Sequence, residues 1–135
     1  MEITRTKDVN VVKYIKTVVG KFIESEKIES FDATKFLQYL RRAIVTPNYM
    51  VWVASEEDNV NGVLVASVQN SLKGDYLMIS CFFGETNEVS VALIDKVVEW
   101  MNENSLGELI MMTKFPKKLI SLGFKVHEHL LVKEI

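Results

Sequence analysis

Few side chains in this sequence combine in a way that could do chemistry. Cys81 lies inside the apolar run Tyr76-Leu77-Met78-Ile79-Ser80-Cys81-Phe82-Phe83. A nucleophilic thiol needs a lowered pKa and a neighbouring base. A lone cysteine in such a run reads instead as a buried structural residue. His127 and His129 are two apart on an expected strand and so share a face, a spacing that can bind a metal. No Asp, Cys or third His lies near them in sequence to complete a ligand set, so a partly solvated strand face is expected and no metal. Lys114, Lys117 and Lys118 form a small basic group at the start of a short helix, where cations oppose the helix dipole. They read as a solvated face, with a ligand phosphate or acidic partner as the alternative. Glu24, Glu26, Glu29 and Asp32 make an acidic stretch that reads as a polar connection between helices, with attraction of an amine as the alternative. Glu85 and Glu88 flank the start of a long helix.

The element that would position these groups runs from Gly74 to Asn104. It reads as a buried strand (Tyr76 to Phe83), a short loop (Gly84 to Asn87) and a helix (Glu88 to Asn104). A strand that feeds a helix through a tight loop is a common phosphate-binding arrangement, because the helix N-terminus offers free N–H groups and a positive dipole end. The strand is apolar at nearly every position and is expected to be covered on both faces. The helix is apolar over a wide arc, from Val89, Ala92 and Leu93 to Val97, Trp100 and Met101, as expected of one lying on a sheet.

The rest of the chain supplies the frame. Its 135 residues suggest one domain, and 48% hydrophobic with 25% charged residues suits a soluble protein with a real core. The net charge of −2 gives no reason to expect nucleic acid or an acidic membrane surface. One cysteine allows no internal disulfide. The first residues have no signal-peptide core and no apolar run is long enough to span a membrane, so a cytoplasmic location is expected. A first strand is expected over Glu2–Thr6. Asp8 or Asn10 caps a first helix whose inner residues include Val12, Ile15, Val18, Val19 and Phe22. Asp32 caps a second helix with Phe36, Leu37, Leu40, Ala43 and Ile44 inward and Phe31 as a staple before it. Pro47 stops it. Tyr49–Ser55 and Val63–Gln69 make a hairpin, with turn signals at Glu56–Asn59 and at Asn61-Gly62. Ser71–Gly74 turns into the third strand of an antiparallel meander. Leu109–Thr113 then lies parallel to Tyr76–Phe83 after a right-handed crossover. Pro116 opens a short helix that Gly123 closes, and Phe124–Glu134 is the last strand.

The resulting order, β-α-α-β-β-β-α-β-α-β, resembles the GNAT (GCN5-related) N-acetyltransferase fold over nearly the whole chain. Three stretches carry the likeness: the hairpin with Val-Trp-Val-Ala and Gly-Val-Leu-Val-Ala, the strand–loop–helix unit, and Lys118-Leu119-Ile120-Ser121-Leu122-Gly123-Phe124. The fold class expected is therefore α/β (α+β), with a mixed sheet of about six strands and helices on both faces. The resemblance implies acetyl-CoA as cofactor and an amine, on a small molecule or a protein, as acceptor. It implies a sheet that splays between its fourth and fifth strands, with the pantetheine arm bonded to the fourth strand near Cys81, Phe82 and Phe83. The pyrophosphate would sit on Gly84, Glu85, Thr86, Asn87, Glu88, Val89 and Ser90.

The family's loop motif is Gln/Arg-x-x-Gly-x-Gly/Ala, whose glycines let the backbone approach the pyrophosphate. Placed by Leu93, the matching positions here are Glu85, Glu88 and Ser90; shifted by one they are Thr86, Val89 and Val91. Gly84 comes too early. The family's frequent general acid is a Tyr four residues before the Gly of Leu-Gly-Phe, and Leu119 occupies that position. A family base near the fourth strand would have Asp75 or Glu85 as its nearest equivalents, at the strand's two ends. Two functions are thus expected as alternatives. One is an acyl-CoA-dependent N-acetyltransferase with an altered cofactor loop. The other is a non-catalytic binding or assembly module of the same fold, of viral or mobile-element type, with the cleft filled by Phe82 or Phe83. Without the resemblance, the pattern is that of a small α/β ligand-binding domain. The final strand lacks the family's closing hairpin, so its edge could pair with a second copy.

Overall fold

The computed structural model describes residues 1–26, 32–57, 59–113, 116–126 and 133. Five strands form one sheet in the order β1 (Glu2–Thr6), β2 (Tyr49–Glu56), β3 (Asn59–Ser71), β4 (Gly74–Gly84) and β5 (Leu109–Met111). The first four are antiparallel to their neighbours, and β5 lies parallel to β4. The parallel pairing follows from the crossover through a helix, which a hairpin cannot make.

Helices cover both faces. A single 3₁₀ turn at Val9–Val11 leads into α1 (Val12–Glu26), followed by α2 (Ala33–Val45). Both expected caps form: Asp8 Oδ1 accepts from the Asn10 amide at 3.0 Å and Asp32 Oδ1 from the Lys35 amide at 3.1 Å. Phe31 and its expected staple contact fall outside the described residues, as do Lys114, His127 and His129. α1 lies mainly over β3 and α2 over β2. Ile15, Val18, Leu40 and Ile44 bury against Val51, Val53, Val63, Val65 and Phe83. On the opposite face lies α3 (Asn87–Glu103), whose Val89, Leu93, Val97 and Met101 bury against Met50, Trp52, Leu64, Leu77 and Ile79. Trp52 and Trp100 meet edge to face with ring centroids 5.9 Å apart, and Arg5 lies over Trp100. α4 (Pro116–Ser121) closes with Gly123 at φ +97°, the left-handed conformation that ends many helices.

Three expectations are corrected. Asn61-Gly62 is not a turn; β3 begins at Asn59 and carries both residues. Asn61 is the extra residue of a bulge between Ala54 and Ser55 on the partner strand. Gly62 is glycine because α3 passes over it: a Cβ there would lie 2.6 Å from Val89 Cγ1 and 2.9 Å from Leu93 Cδ1. Second, β4 is not covered along both faces. Leu77, Ile79 and Phe83 are buried, but Tyr76 and Met78 are half-buried and Ser80 is exposed. The α1–α2 layer stops short of this part of the strand. Third, the sheet has five strands among the described residues rather than six. Phe124–Val126 are not in a strand, and the rest of the expected closing strand, whose edge was expected to pair, lies outside the described residues apart from Lys133.

Candidate functional site

β4 and β5 pair only from Leu77–Leu109 to Ile79–Met111. β4 then runs on for five residues, Ser80 to Gly84, with no β5 residue beside it. The separation begins at a bulge. Val65 faces Cys81 and Ala66 faces Ile79, which leaves Ser80 unpaired. Bulges bend the strand that carries them and increase its twist, and here the bend coincides with the end of β4–β5 pairing. The result is a length of β4 that β5 does not flank among the described residues, ending at the N-terminus of α3.

The loop between β4 and α3 is held from both ends. The Glu85 amide donates to the Asn61 carbonyl at 2.8 Å, which uses the bulge in β3 as an anchor. Thr86 is the N-cap, and its Oγ1 accepts from the Val89 amide at 3.3 Å. The amides of Asn87 and Glu88 lie in the first turn, before intrahelical partners become available. Replacing Thr86 with alanine is expected to lower stability by about 1 kcal/mol, read by urea unfolding, whereas serine should restore most of the loss. An alanine variant as stable as the parent would show that the cap contributes nothing.

The residues that the sequence reading assigned to the cofactor divide by exposure. Glu85, Thr86, Asn87 and Glu88 are exposed, and Val89 and Ser90 are buried. Ser90 packs against Gly84, where a Cβ would lie 2.3 Å from its Oγ and 2.8 Å from its amide nitrogen. Its hydroxyl has no hydrogen-bond partner among the described residues. Gly84 therefore lets α3 sit close on the sheet, and the same contact puts the helix N-terminus at the end of β4. Phe83 turns into the core beneath α1 and α2. Phe82 packs on the α3 side, with the Lys118 ammonium 5.7 Å from its ring centroid. Cys81 is half-buried on the α1–α2 side, and burial pushes its thiol up to about 12. Leu119, at the position of the family's tyrosine, is buried.

Three residues near this region escaped the sequence reading. Lys21, on α1, lines a cavity of about 340 Å³ together with Tyr14, Thr17, Val18, Asn59, Val60 and Glu85. One cation and one of the two loop carboxylates thus share an opening. Tyr39, on α2, reaches the bulge and hydrogen-bonds to Ser80, whose Oγ also donates to the Val65 carbonyl at 3.3 Å. Burial raises the Tyr39 pKa. The one available signal was Ser80 itself, the single serine in the apolar run Tyr76–Phe83. Among the described residues, no group of three or more His, Cys, Asp and Glu side chains could hold a metal. No helix there is long and apolar enough to cross a membrane.

Comparison with known proteins decides the fold. No family model matches the chain, and no curated protein matches it in sequence. Solved structures match over nearly its full length. A predicted acetyltransferase from Clostridium acetobutylicum, crystallised with acetyl-CoA, superposes with a TM-score of 0.77 at 14% identity, covering 98% of this chain and 95% of that one. The chain has the GNAT acetyltransferase fold. An aminoglycoside antibiotic 6'-N-acetyltransferase from Acinetobacter haemolyticus superposes with a TM-score of 0.77 at 15% identity, covering 100% of this chain and 98% of that one. An integron cassette protein from the mobile metagenome of a salt marsh reaches 0.78 at 15% identity, covering 98% and 89%.

Proposed function

We propose that the protein is an acyl-CoA-dependent N-acetyltransferase. The observation that carries this reading is the end of β4–β5 pairing at Ile79–Met111, beyond which β4 runs on to the first turn of α3. Acetyl-CoA would supply an acetyl group activated as a thioester. Where β4 leaves β5, its backbone would offer hydrogen-bonding groups to an extended amide-containing arm, as a strand edge does to any extended chain. The first turn of α3 offers N–H groups and a positive dipole end to phosphate. Phe83 lies in the core beneath α1 and α2, and so does not fill the gap beside β4. The chain's fit to the cofactor is weakest at Glu85 and Glu88, both exposed where the phosphate charges would arrive.

That weakness yields a test with a definite sign. Each carboxylate about 4 Å from a phosphate charge opposes binding by about 1 kcal/mol in water-like surroundings, or about fivefold in affinity. The double variant Glu85→Gln with Glu88→Gln is expected to bind acetyl-CoA several-fold more tightly by calorimetry. It should also be slightly less stable, because Glu88 favours the α3 dipole by about 0.3–1 kcal/mol. An affinity that fell or stayed the same would place the phosphates elsewhere. The same two carboxylates, with Leu119 in the tyrosine position, favour the second reading, a binding or assembly module of this fold that has lost acetyl-CoA. Calorimetry on the parent protein separates the two. Saturable heat with acetyl-CoA supports the transferase, and no heat at millimolar ligand leaves the module.

A further inference from the structure

We infer that the acceptor is a weakly basic amine, uncharged at neutral pH and aromatic or otherwise apolar, held by an uncharged tyrosine–serine face with Ser80 Oγ as the group that receives its N–H. The inference rests on the transferase reading for the purpose of the site but not for its chemistry.

A serine hydroxyl has one proton and two lone pairs. Ser80 donates its proton to the Val65 carbonyl at 3.3 Å. In the contact with Tyr39, Ser80 therefore has to accept and Tyr39 donate. Burial keeps the Tyr39 phenol protonated and able to do so. One lone pair of Ser80 remains, on a residue that is exposed although both hydrogen-bonded neighbours are in place. A fixed acceptor of this kind selects a donor. It holds an amine by its N–H and leaves the nitrogen lone pair free for attack.

Position and surroundings narrow the class. Ser80 is the bulge residue, the first position of β4 beyond its pairing with β5, and so lies at the entrance to the gap. It faces the side of the sheet where the α1–α2 layer ends. The strand alternation brings Tyr49, Ser67, Gln69 and Tyr76 to that same face. Tyr39 and Tyr49 meet edge to face, with centroids 6.4 Å apart, and Gln69 Nε2 donates to Ser67 Oγ at 2.9 Å. None of these six side chains carries a charge at neutral pH. A formal charge placed beside them is Lys7, whose ammonium donates to the Tyr49 carbonyl at 3.1 Å. A neutral hydroxyl does not offset the desolvation of an ammonium as a carboxylate would, and a nearby lysine repels one. Aromatic faces suit a flat apolar body. A polycation, by contrast, finds no counter-charge on these side chains among the described residues.

The test measures acceptor binding directly, without acetyl-CoA, so that it stands apart from the transferase reading. 4-Methoxyaniline, an aromatic amine neutral at pH 7.5, and spermidine, a polycation, are titrated into the full chain. The arylamine is expected to bind saturably and at least about tenfold more tightly than spermidine. Ser80→Ala and Tyr39→Phe should each weaken it by about three- to tenfold, the loss of one hydrogen bond. Ser80→Thr, which keeps the hydroxyl, should bind within about twofold of the parent, and circular dichroism confirms that each variant is folded. Spermidine binding as tightly as the arylamine, or Ser80→Ala binding it unchanged, would overturn the proposal. A separate titration with acetyl-CoA distinguishes the two failures. Acetyl-CoA bound without arylamine selectivity removes this inference and keeps the transferase. Arylamine bound without acetyl-CoA removes the transferase and keeps the site.

Discussion

Gly84→Ala is expected to destabilise the protein by about 1–3 kcal/mol, the usual consequence of forcing an extra methyl into a packed contact. The added Cβ would lie 2.3 Å from Ser90 Oγ, 2.8 Å from Ser90 N and 3.1 Å from Ser90 Cα. The first of these contacts is with a side chain that could be trimmed. The other two are with the backbone of α3, which cannot rotate away. The double variant Gly84→Ala with Ser90→Ala should therefore recover only a small part of the loss, and this distinguishes a backbone clash from a side-chain one. The whole helix has to lift at its N-terminal end. Because that end carries the Thr86 cap and the amides of Asn87 and Glu88, acetyl-CoA binding should fall with stability, by tenfold or more if the turn moves by about 1 Å. Urea unfolding and calorimetry on the same samples measure both effects. A Gly84→Ala protein of parental stability would mean that α3 does not approach β4 as closely as described.

Gly84 also illustrates what the sequence can convey about such a site. Read against the family's loop motif, it is a glycine in the wrong place for phosphate. In the structure it is a glycine in the right place for packing, because the close approach of helix to sheet needs a residue without a side chain two positions before the cap. Gly62 has the same role one strand over, and the preceding Asn61 made that pair look like a turn. Both misreadings have one physical source. Glycine marks either an unusual backbone angle or a close neighbour, and only the tertiary structure says which. Of the glycines outside loops, neither Gly62 nor Gly84 has a positive φ, so the neighbour is the reason for each.

The local signals fared better. Asp8 and Asp32 cap helices as their spacing implied, and the Tyr49–Gln69 pairing and the β4–α3 crossover follow from alternation and turn chemistry alone. The bulge at Ser80 was beyond reach, since a bulge is a mismatch between two strands and neither strand's pattern contains it. Its consequence is that Ser80 and Cys81 fall on the same side of β4, which the period of two would forbid. Tyr39 was hidden for a related reason. It sits beside the apolar stripe of α2 rather than in it, and its partner became visible only once the bulge had turned Ser80 toward α2.

The shared side of Ser80 and Cys81 makes the thiol a natural suspect as a covalent way-station, and its ionisation argues against that role. Burial lifts Cys81 from an ordinary value of 9.0 to about 12. At pH 8 its thiolate fraction is then lower than that of an exposed thiol by about a thousandfold, and thiolate is the reactive species. Alkylation by iodoacetamide is expected to be slower in the folded protein than in urea by about that factor. The same shift has a stability consequence with a fixed sign. The unfolded thiol ionises near pH 9 and the folded one near pH 12, so the folded state holds the extra proton between them. The contribution is complete below about pH 9 and is lost as the pH rises toward 12, up to roughly 4 kcal/mol for three pH units. Tyr39, also raised by burial, adds a loss of the same sign from about its ordinary value of 10.0 upward. Urea unfolding from pH 8 to pH 11 should show a steep alkaline decline in the parent and a shallower one in Cys81→Ala. Equal slopes would place the thiol in contact with water. Rapid alkylation at pH 8, or an acetyl thioester on Cys81 detected by mass after incubation with acetyl-CoA, would make the cysteine a nucleophile after all. With the thiol neutral, the proposed transferase would pass the acetyl group directly between two bound substrates. The demand then falls on how the β4 edge and the Tyr39–Ser80 pair hold them against each other.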